Sequence, residues 1–404
     1  MKNVNFCVIE GKSLGFYVGM AVLSLFILLG LFAAYNMEHH GHIITGMDNQ
    51  IVWGMPHIFA IFLILAASGV LNVASISSVF RKVFYSPLAR LSALLAITLL
   101  IGGLSVLLLD LGRPDRLLVA MTNYNFKSIF AWNIILYNGF IAICVLYLWF
   151  MMQRCMQRYY PTVGLMAFIW RLILTTGTGS IFGFLIAREA YNTAVMAPLF
   201  IALSLSLGLA VFLIVLLIDC WGTHCSLGEG ILHRPKTLLG VLIAGVFYFV
   251  LVYHLTHLYF TGRHGVEYFI LAGGGVYTVL FWGGYLFLGT ILPLLLLYHE
   301  RFTHSRISIG FASLLTIIGG FSLLYVIIIG GQAYPLNIFP GKEVISSGFF
   351  DNAAVHPYTP SGWEIMLGIS GIAISAFATM LALKLLPLLP RSLADADIDD
   401  TFKD

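Results

Sequence analysis

The sequence predicts an all-α polytopic membrane protein of ten transmembrane helices, and three observations carry that reading. The 404 residues are 60% hydrophobic and only 10% charged, where a soluble domain is about 45–50% apolar and about 25% charged. Mean hydropathy is +0.95. Apolar runs of the roughly 20 residues needed to cross a hydrocarbon core recur along the whole chain. A net charge of +3 gives no support to a nucleic-acid partner.

Taken in order, the spans are expected at about 15–35, 53–79, 88–110, 128–152, 162–186, 195–219, 237–260, 267–298, 307–330 and 362–386. Together they form a single integral membrane domain over residues 1–404, with 387–404 as a cytoplasmic tail. Lys2, Glu10 and Lys12 precede the first run, which is too long for a signal-peptide core and lacks a small-residue cleavage site, so it is expected to stay as a span. The eighth run contains Gly273-Gly274-Gly275, Gly283-Gly284 and Pro293 and is expected to be tilted or broken. Small residues such as Gly102-Gly103 and Gly319-Gly320 suit close helix packing. Spans two to five and six to nine run in the same directions. Both blocks open on similar segments, Met55-Pro56-His57-Ile58-Phe59 and Ala197-Pro198-Leu199-Phe200. That permits two four-helix bundles flanked by the first and last helices.

Ten spans put both ends of the chain on one side. With the termini cytoplasmic, fourteen of the 21 Lys and Arg residues fall in inner segments and six in outer ones, with Arg171 inside the fifth span. The positive-inside rule therefore orients the protein in the cell membrane with both termini cytoplasmic. None of the five cysteines makes a CxxC pair, which argues against covalent haem or iron–sulfur ligation. The first outer loop holds Glu38, His39, His40, His42 and Asp48. An exposed loop explains it better than a metal site, and no metal is expected.

Against so few charges, Asp110-Leu111-Gly112-Arg113-Pro114-Asp115-Arg116 stands out. Asp110 sits where the third span should leave the bilayer, and an ionisable group there is costly unless paired, wetted or used. Gly112 and Pro114 stop the helix, freeing Arg113 and Arg116 to fold back on Asp110 or on a ligand. His57 lies at the same depth on the second span, Trp132, Asn133, Tyr137 and Asn138 on the fourth, and Arg188 and Glu189 at the end of the fifth. His57, Asp110, Arg113, Trp132, Tyr137 and Glu189 are the candidate residues of one outer pocket. Aromatic walls with an acid and an imidazole suit a quinone head-group, whose carbonyls need donors and whose reduction needs protons. The bland reading is that each polar group only satisfies a neighbour.

His254 and His257 share a face of the seventh span, but the paired histidines on facing helices that a b-type haem wants are not evident, so no haem is expected. Arg171 lies deep in the fifth span with Thr175 beyond it. With Asp219, His224, Glu229, His233 and Arg234 near the inner ends of spans six and seven, these could carry protons from the cytoplasm. Arg171, Thr175, Asp219 and Glu229 are the candidate path. The final outer loop, Gly331 to Ser361, has four prolines and is long enough to cover a site or meet a partner.

Leu109-Asp110-Leu111-Gly112-Arg113-Pro114, with Ser128 to Asn138 and the pattern Pro198, Phe200, Ser204, Ser206, Gly208, resembles the NrfD/PsrC family, the membrane subunits of polysulfide reductase and related respiratory complexes. Gly330-Gly331-Gln332-Ala333-Tyr334-Pro335-Leu336 and Tyr358-Thr359-Pro360-Ser361 to Glu364 look like its ten-span branch. The run Gln332 to Gly341 looks most like DsrP, the membrane subunit of the Dsr complex of sulfur metabolism, with HybB-type hydrogenase subunits next. The resemblance implies a site near the outer face for menaquinone or ubiquinone as substrate, and no haem or iron–sulfur cluster in this chain. It also implies docking to an extracytoplasmic ferredoxin-like iron–sulfur subunit, with a multihaem cytochrome c and further membrane or cytoplasmic subunits in the complex. By position, Asp110 and Arg113 carry over best and His57 fits a polar position. The competing class is a membrane anchor or proton-translocating subunit without redox turnover of its own, which would have no need of the Asp110 cluster.

Overall fold

The computed structural model describes residues 6–223, 226–302, 305–336 and 355–394. Among the described residues, ten helices are long and apolar enough to cross a membrane: α1 (Leu14–His40), α2 (Met55–Ser78), α3 (Phe84–Leu109), α4 (Ile129–Met152), α5 (Tyr160–Gly183), α6 (Met196–Thr223), α7 (Glu229–Tyr259), α8 (Val276–Tyr298), α9 (Arg306–Ala333) and α10 (Gly362–Leu385). The protein is an all-helical, multi-pass integral membrane protein. Its helix ends follow local chemistry. The Ser13 hydroxyl accepts from the Phe16 amide ahead of α1. Pro56 occupies the first turn of α2, where its missing N–H costs nothing. Ser361 and Glu364 form a reciprocal capping box at the start of α10.

The break expected in the eighth span is present, and two spans run longer than expected: α7 begins at Glu229, ahead of the expected 237, and α1 continues past 35. The run expected at 267–298 is broken: His264–Leu271 is a separate short helix, and α8 starts only after Gly273–Gly275, with Gly274 in the left-handed region at φ 73°. Three consecutive glycines there remove the side-chain bias toward a continuous helix. Within α8, Leu280–Ile291 winds as a π-helix. α1 runs on to His40, so Glu38, His39 and His40 lie in its last turn and not in a loop.

One group of helices packs α2 against α3, α5 against α4 and α6, and α3 against α4; a second packs α7 and α9 on α6 and α8 on α9. α2 and α6 join the two. α10 packs on α3 and α2 and carries α1 on its outer side. Burial follows: 89% of the central α2 window is buried, against 11% for α1, whose apolar surface is left for lipid or another chain. Two short strands, β1 (Phe6–Cys7) and β2 (Leu389–Pro390), pair antiparallel and bring both ends of the described chain to one face, here the terminal face. The opposite face carries the α3–α4 connection and Asp110.

Between α2 and α6 the two backbones touch. A Cβ on Gly69 would collide with the Ser204 carbonyl, and one on Gly208 with the backbone of Gly69 and Val70. Lipid tails are as apolar as the helix surface, so such close approach is what drives association in a bilayer. Gly208→Leu is expected to lower the thermal unfolding midpoint of the purified protein, overpacking of this kind costing about 1–3 kcal/mol. Gly222→Leu, on the same helix with nothing within 4 Å of its added Cβ, should leave it unchanged. Equal effects in the two variants would show that the seam does not depend on this contact.

Candidate functional site

At the Asp110 face, α2 to α5 enclose a cavity of about 510 Å3. Its walls are mainly aliphatic and aromatic, with Trp53, Phe130, Tyr137 and Phe182 among them, and His57 and Asp110 stand at one end. Trp53 meets Phe182 edge-on at 5.6 Å and Phe130 at 6.1 Å, so the aromatic wall is fixed by ring packing. Farther in, Tyr137 is buried with its hydroxyl 3.4 Å from Thr178 Oγ1. Asn133 donates to the Ile129 carbonyl at 2.9 Å, leaving its buried side-chain oxygen without a hydrogen-bond partner among the described residues.

Asp110 caps α3. Its neighbour Gly112 takes φ +63°, a turn that L side chains resist, and the chain bends away from the bilayer there. Two histidines flank the carboxylate: His57 Nδ1 lies 3.1 Å from Oδ2, and His42 Nε2 lies 3.5 Å from Oδ1 and 3.2 Å from the Asp110 carbonyl. The Asp110 side chain is 2% exposed, yet among the described residues neither oxygen has an aligned hydrogen bond. Such an acid keeps lone pairs free for a further donor. A second, more polar cavity of about 560 Å3 lies beyond it, lined by His42, Asp48 and Asn49 among others, and it shares His57 and Asp110 with the first. The His57–Asp110 pair is thus the wall between an apolar pocket and a wetter one.

A polar scaffold holds this wall. Tyr358 accepts from the Met55 amide at 2.7 Å and donates to Glu364 at 2.7 Å. Glu364, wholly buried, also takes the amides of Gly46 and Ser361. Gln332 brackets Trp53, accepting from its amide and donating to its carbonyl, each at 3.0 Å. Arg188 donates to the carbonyls of Gln332 and Gln50.

Of the residues expected in the pocket, His57, Asp110 and Tyr137 line the cavity. The other three lie elsewhere. Arg113 is exposed. Trp132 is 44% exposed, its indole N–H donating to the Phe126 carbonyl at 2.9 Å. Glu189 is half-buried in the neighbourhood of Arg263 and Tyr334, and burial raises its pKa above the usual carboxylate value. The expectation that Arg113 or Arg116 folds back on Asp110 is corrected: its partners are the histidines. After Gly112 both arginines are carried to the surface, where their charge stays hydrated. By sequence alone His42 belongs to a solvated loop. Its partner is 68 residues away, and only the crowding of histidines before α2 hints at a use.

Arg171 is 2% exposed on α5, donating to Asn72 Oδ1 at 3.1 Å, with its Nε and Nη1 lacking hydrogen bonds among the described residues. Thr175 bonds Ser68 at 2.6 Å. Asp219 and Glu229 lie far from them by chain position, near the ends of α6 and α7 at the terminal face, and Glu229 lines a separate cavity with His233, Lys236 and Arg306. His224, and Lys342 with most of the Gly331–Ser361 loop, lie outside the described residues.

The His42 pair has a pH consequence. Pairing with the Asp110 carboxylate raises the His42 pKa above its ordinary 6.5, against the opposing effect of partial burial. A group whose pKa is raised by folding contributes stability that is fully present below its unfolded value and lost as pH rises through its folded value. The thermal midpoint should therefore fall as pH is raised past about 6.5, with a smaller fall in His42→Gln. An identical pH profile in the variant would remove His42 from the pairing.

Comparison with known proteins agrees with this architecture. The family model described as "Polysulphide reductase, NrfD" matches residues 43–335. The chain is 27% identical to the Hdr-like menaquinol oxidoreductase integral membrane subunit of Archaeoglobus fulgidus, over 98% of this chain and 100% of that one. It is 29% identical to a putative dimethyl sulfoxide reductase membrane subunit of Halobacterium salinarum, over 93% and 92%. To the protein NrfD of Escherichia coli it is 27% identical, over 61% and 84%. None of these names singles out the DsrP-like member. With the model covering the chain from the first loop to the end of α9, this protein belongs to the NrfD polysulphide reductase family.

Proposed function

We propose that the chain is the quinol-reactive membrane subunit of a respiratory oxidoreductase complex, and that the cavity between α2 and α5 takes the quinol head-group. The observation that carries this reading is the His57–Asp110 pair between two cavities, one apolar and large enough for a substituted ring, the other polar and open to the Asp110 face. The name of the Archaeoglobus relative, a menaquinol oxidoreductase subunit, supports menaquinol as the substrate class.

Oxidation of a quinol releases two protons and two electrons. The hydroxyl set against the free lone pairs of Asp110 passes its proton to the carboxylate, or to His57 beside it, and the second hydroxyl's proton is taken by the same pair once the first has left. Either group returns each proton to water through the second cavity by way of His42. Asn133 Oδ1 and the Tyr137 hydroxyl are placed to orient the far side of the ring. The electrons leave for an iron–sulfur partner, which the reading docks on the Asp110 face so that its cluster comes near the pocket. The relatives that are subunits of reductases support such an assembly. The charge bias of the loops supports an extracytoplasmic position for this face and cytoplasmic termini. Arg171, Thr175, Ser68 and Asn72 form a polar file inside the first bundle that suits proton supply. Nothing joins that file to Asp219 or Glu229 among the described residues. Within the family, the DsrP-like placement and a role in sulfur metabolism rest on the run from Gln332 to Gly341.

Asp110→Asn keeps the side chain's shape and removes the acid. Quinol oxidation by the assembled complex should fall on the order of 100-fold, the lower end of what a positioned acid–base group supplies, while the subunit still assembles and still binds quinone. Glu189→Gln, outside the cavity, should turn over normally. Near-normal turnover in Asp110→Asn would end the proton-accepting role.

A further inference from the structure

The second bundle brings together three titratable side chains that the cavity does not use. His254 and His257 lie one turn apart on α7, and Glu267 lies on the short helix His264–Leu271 that follows. Glu267 is 1% exposed and accepts from both imidazoles, His254 Nδ1 at 2.7 Å and His257 Nδ1 at 3.1 Å. Tyr253 packs its ring 4.9 Å from His254 and 4.2 Å from His257, and its hydroxyl donates to the Ala190 carbonyl at 2.6 Å. Phe281 of α8 meets His254 edge-on at 4.8 Å. Tyr191 and Arg263 are the other titratable or charged groups facing the cluster. The Arg263 guanidinium donates to the Asn192 carbonyl at 2.7 Å, and no ion pair joins it to Glu267 among the described residues.

The protons can be counted. With both Nδ1 atoms donating, each neutral imidazole keeps its lone pair on Nε2, and Glu267 is a carboxylate. The cluster then carries one negative charge out of water, a costly arrangement. One further proton on an Nε2 turns it into an imidazolium–carboxylate pair with no net charge. The two histidines are not equivalent as acceptors. His257 is 0% exposed and its Nε2 has no hydrogen-bond partner among the described residues, so a proton there would be an unsatisfied buried donor. His254 keeps 10% of its side chain exposed and borders a cavity of about 10 Å3, about the space of one water.

We propose that His254, Glu267 and His257 form a second proton-binding site, separate from the α2–α5 cavity, which takes one proton at His254 Nε2 and holds it against Glu267. His257 is a positioning residue: its bond to the second carboxylate oxygen keeps Glu267 turned toward α7. The site stands on its own contacts and does not depend on what occupies the first cavity.

The test uses the full-length protein in lipid nanodiscs, labelled with 15N-histidine and 13C-glutamate. Solid-state NMR correlates an imidazole Nδ1 with the carboxylate it contacts, which assigns the cluster in the unmutated protein. The imidazole paired to Glu267 by its short bond is expected to pass from neutral to doubly protonated as pH is lowered across the range in which the protein stays folded, with the glutamate signal remaining that of a carboxylate. His254→Gln should abolish that titration, and His257→Gln should keep it with a shifted midpoint. If the correlated imidazole stays neutral over the whole range in folded protein, or if titration persists in His254→Gln, the proposal is overturned.

Discussion

A carboxylate withdrawn from water at the end of a membrane helix sets the terms for the rest of the first bundle. Asp110 is almost wholly buried and its neighbours in sequence do not pair it, so distant segments must. His42 comes from the α1–α2 connection and His57 from the first turn of α2. Leaving such a charge without partners costs several kcal/mol, and meeting that need fixes where two loops and two helix ends lie. The scaffold above the pocket follows from the same demand. Pro56 leaves the start of α2 short of amides, and Tyr358 takes the free Met55 amide just before it while Glu364 holds Tyr358. Gln332 does the same for Trp53 from the end of α9. Segments far apart in the chain thus converge on the few residues that aim His57 and Trp53.

Much of the fold is legible in advance because hydrocarbon enforces one rule everywhere: a spanning segment must satisfy its own backbone and show apolar side chains outward. Length and hydropathy alone therefore locate ten helices, most to within a few residues. The errors arise where that rule relaxes. Glu38, His39 and His40 extend α1 beyond the core, where helix and loop both satisfy the backbone. The Gly273–Gly275 break is no such error: hydropathy does not see it, but the three glycines themselves mark it, because they lack the side-chain bias toward a helix. Within the site, Asp110 and His57 are legible because an ionisable group in an apolar run is expensive wherever it points. Trp132 and Glu189 sit at interfacial positions, where direction decides and composition is silent. The choice of His42 over Arg113 as partner is a tertiary fact: Gly112 turns the arginine outward, and no spacing in the sequence brings position 42 next to 110.

The closing motifs show how a sequence resemblance acquires physical content. As sequence, Gln332 and the Tyr358-to-Glu364 segment are only family-like strings. In the structure they are the groups that hold the start of α2, through Trp53 and Met55, and neither Gln332 nor Glu364 lines the cavity. Their side chains are buried polar groups with nearly every valence used, the condition under which a polar network adds geometric specificity and not merely stability. Substituting them would be felt as a misplaced His57 more than as a lost contact.

The two bundles end with related chemistry and opposite accessibility. In each, a buried carboxylate just past the end of an odd-numbered helix, α3 or α7, meets two histidines at the same face of the protein. Around Asp110 the geometry is loose: contacts of 3.1 and 3.5 Å without aligned hydrogen bonds, and a cavity on either side. Around Glu267 it is tight: two formed hydrogen bonds, a tyrosine over both rings and space for about one water. A loose acid between two cavities can exchange a proton with a ligand that comes and goes. A tight one can exchange only through the single exposed edge of His254, and it holds its proton between events. On the proposed reading, the spare coordination of the acid, more than the residue types around it, is what would let one site turn over and the other store.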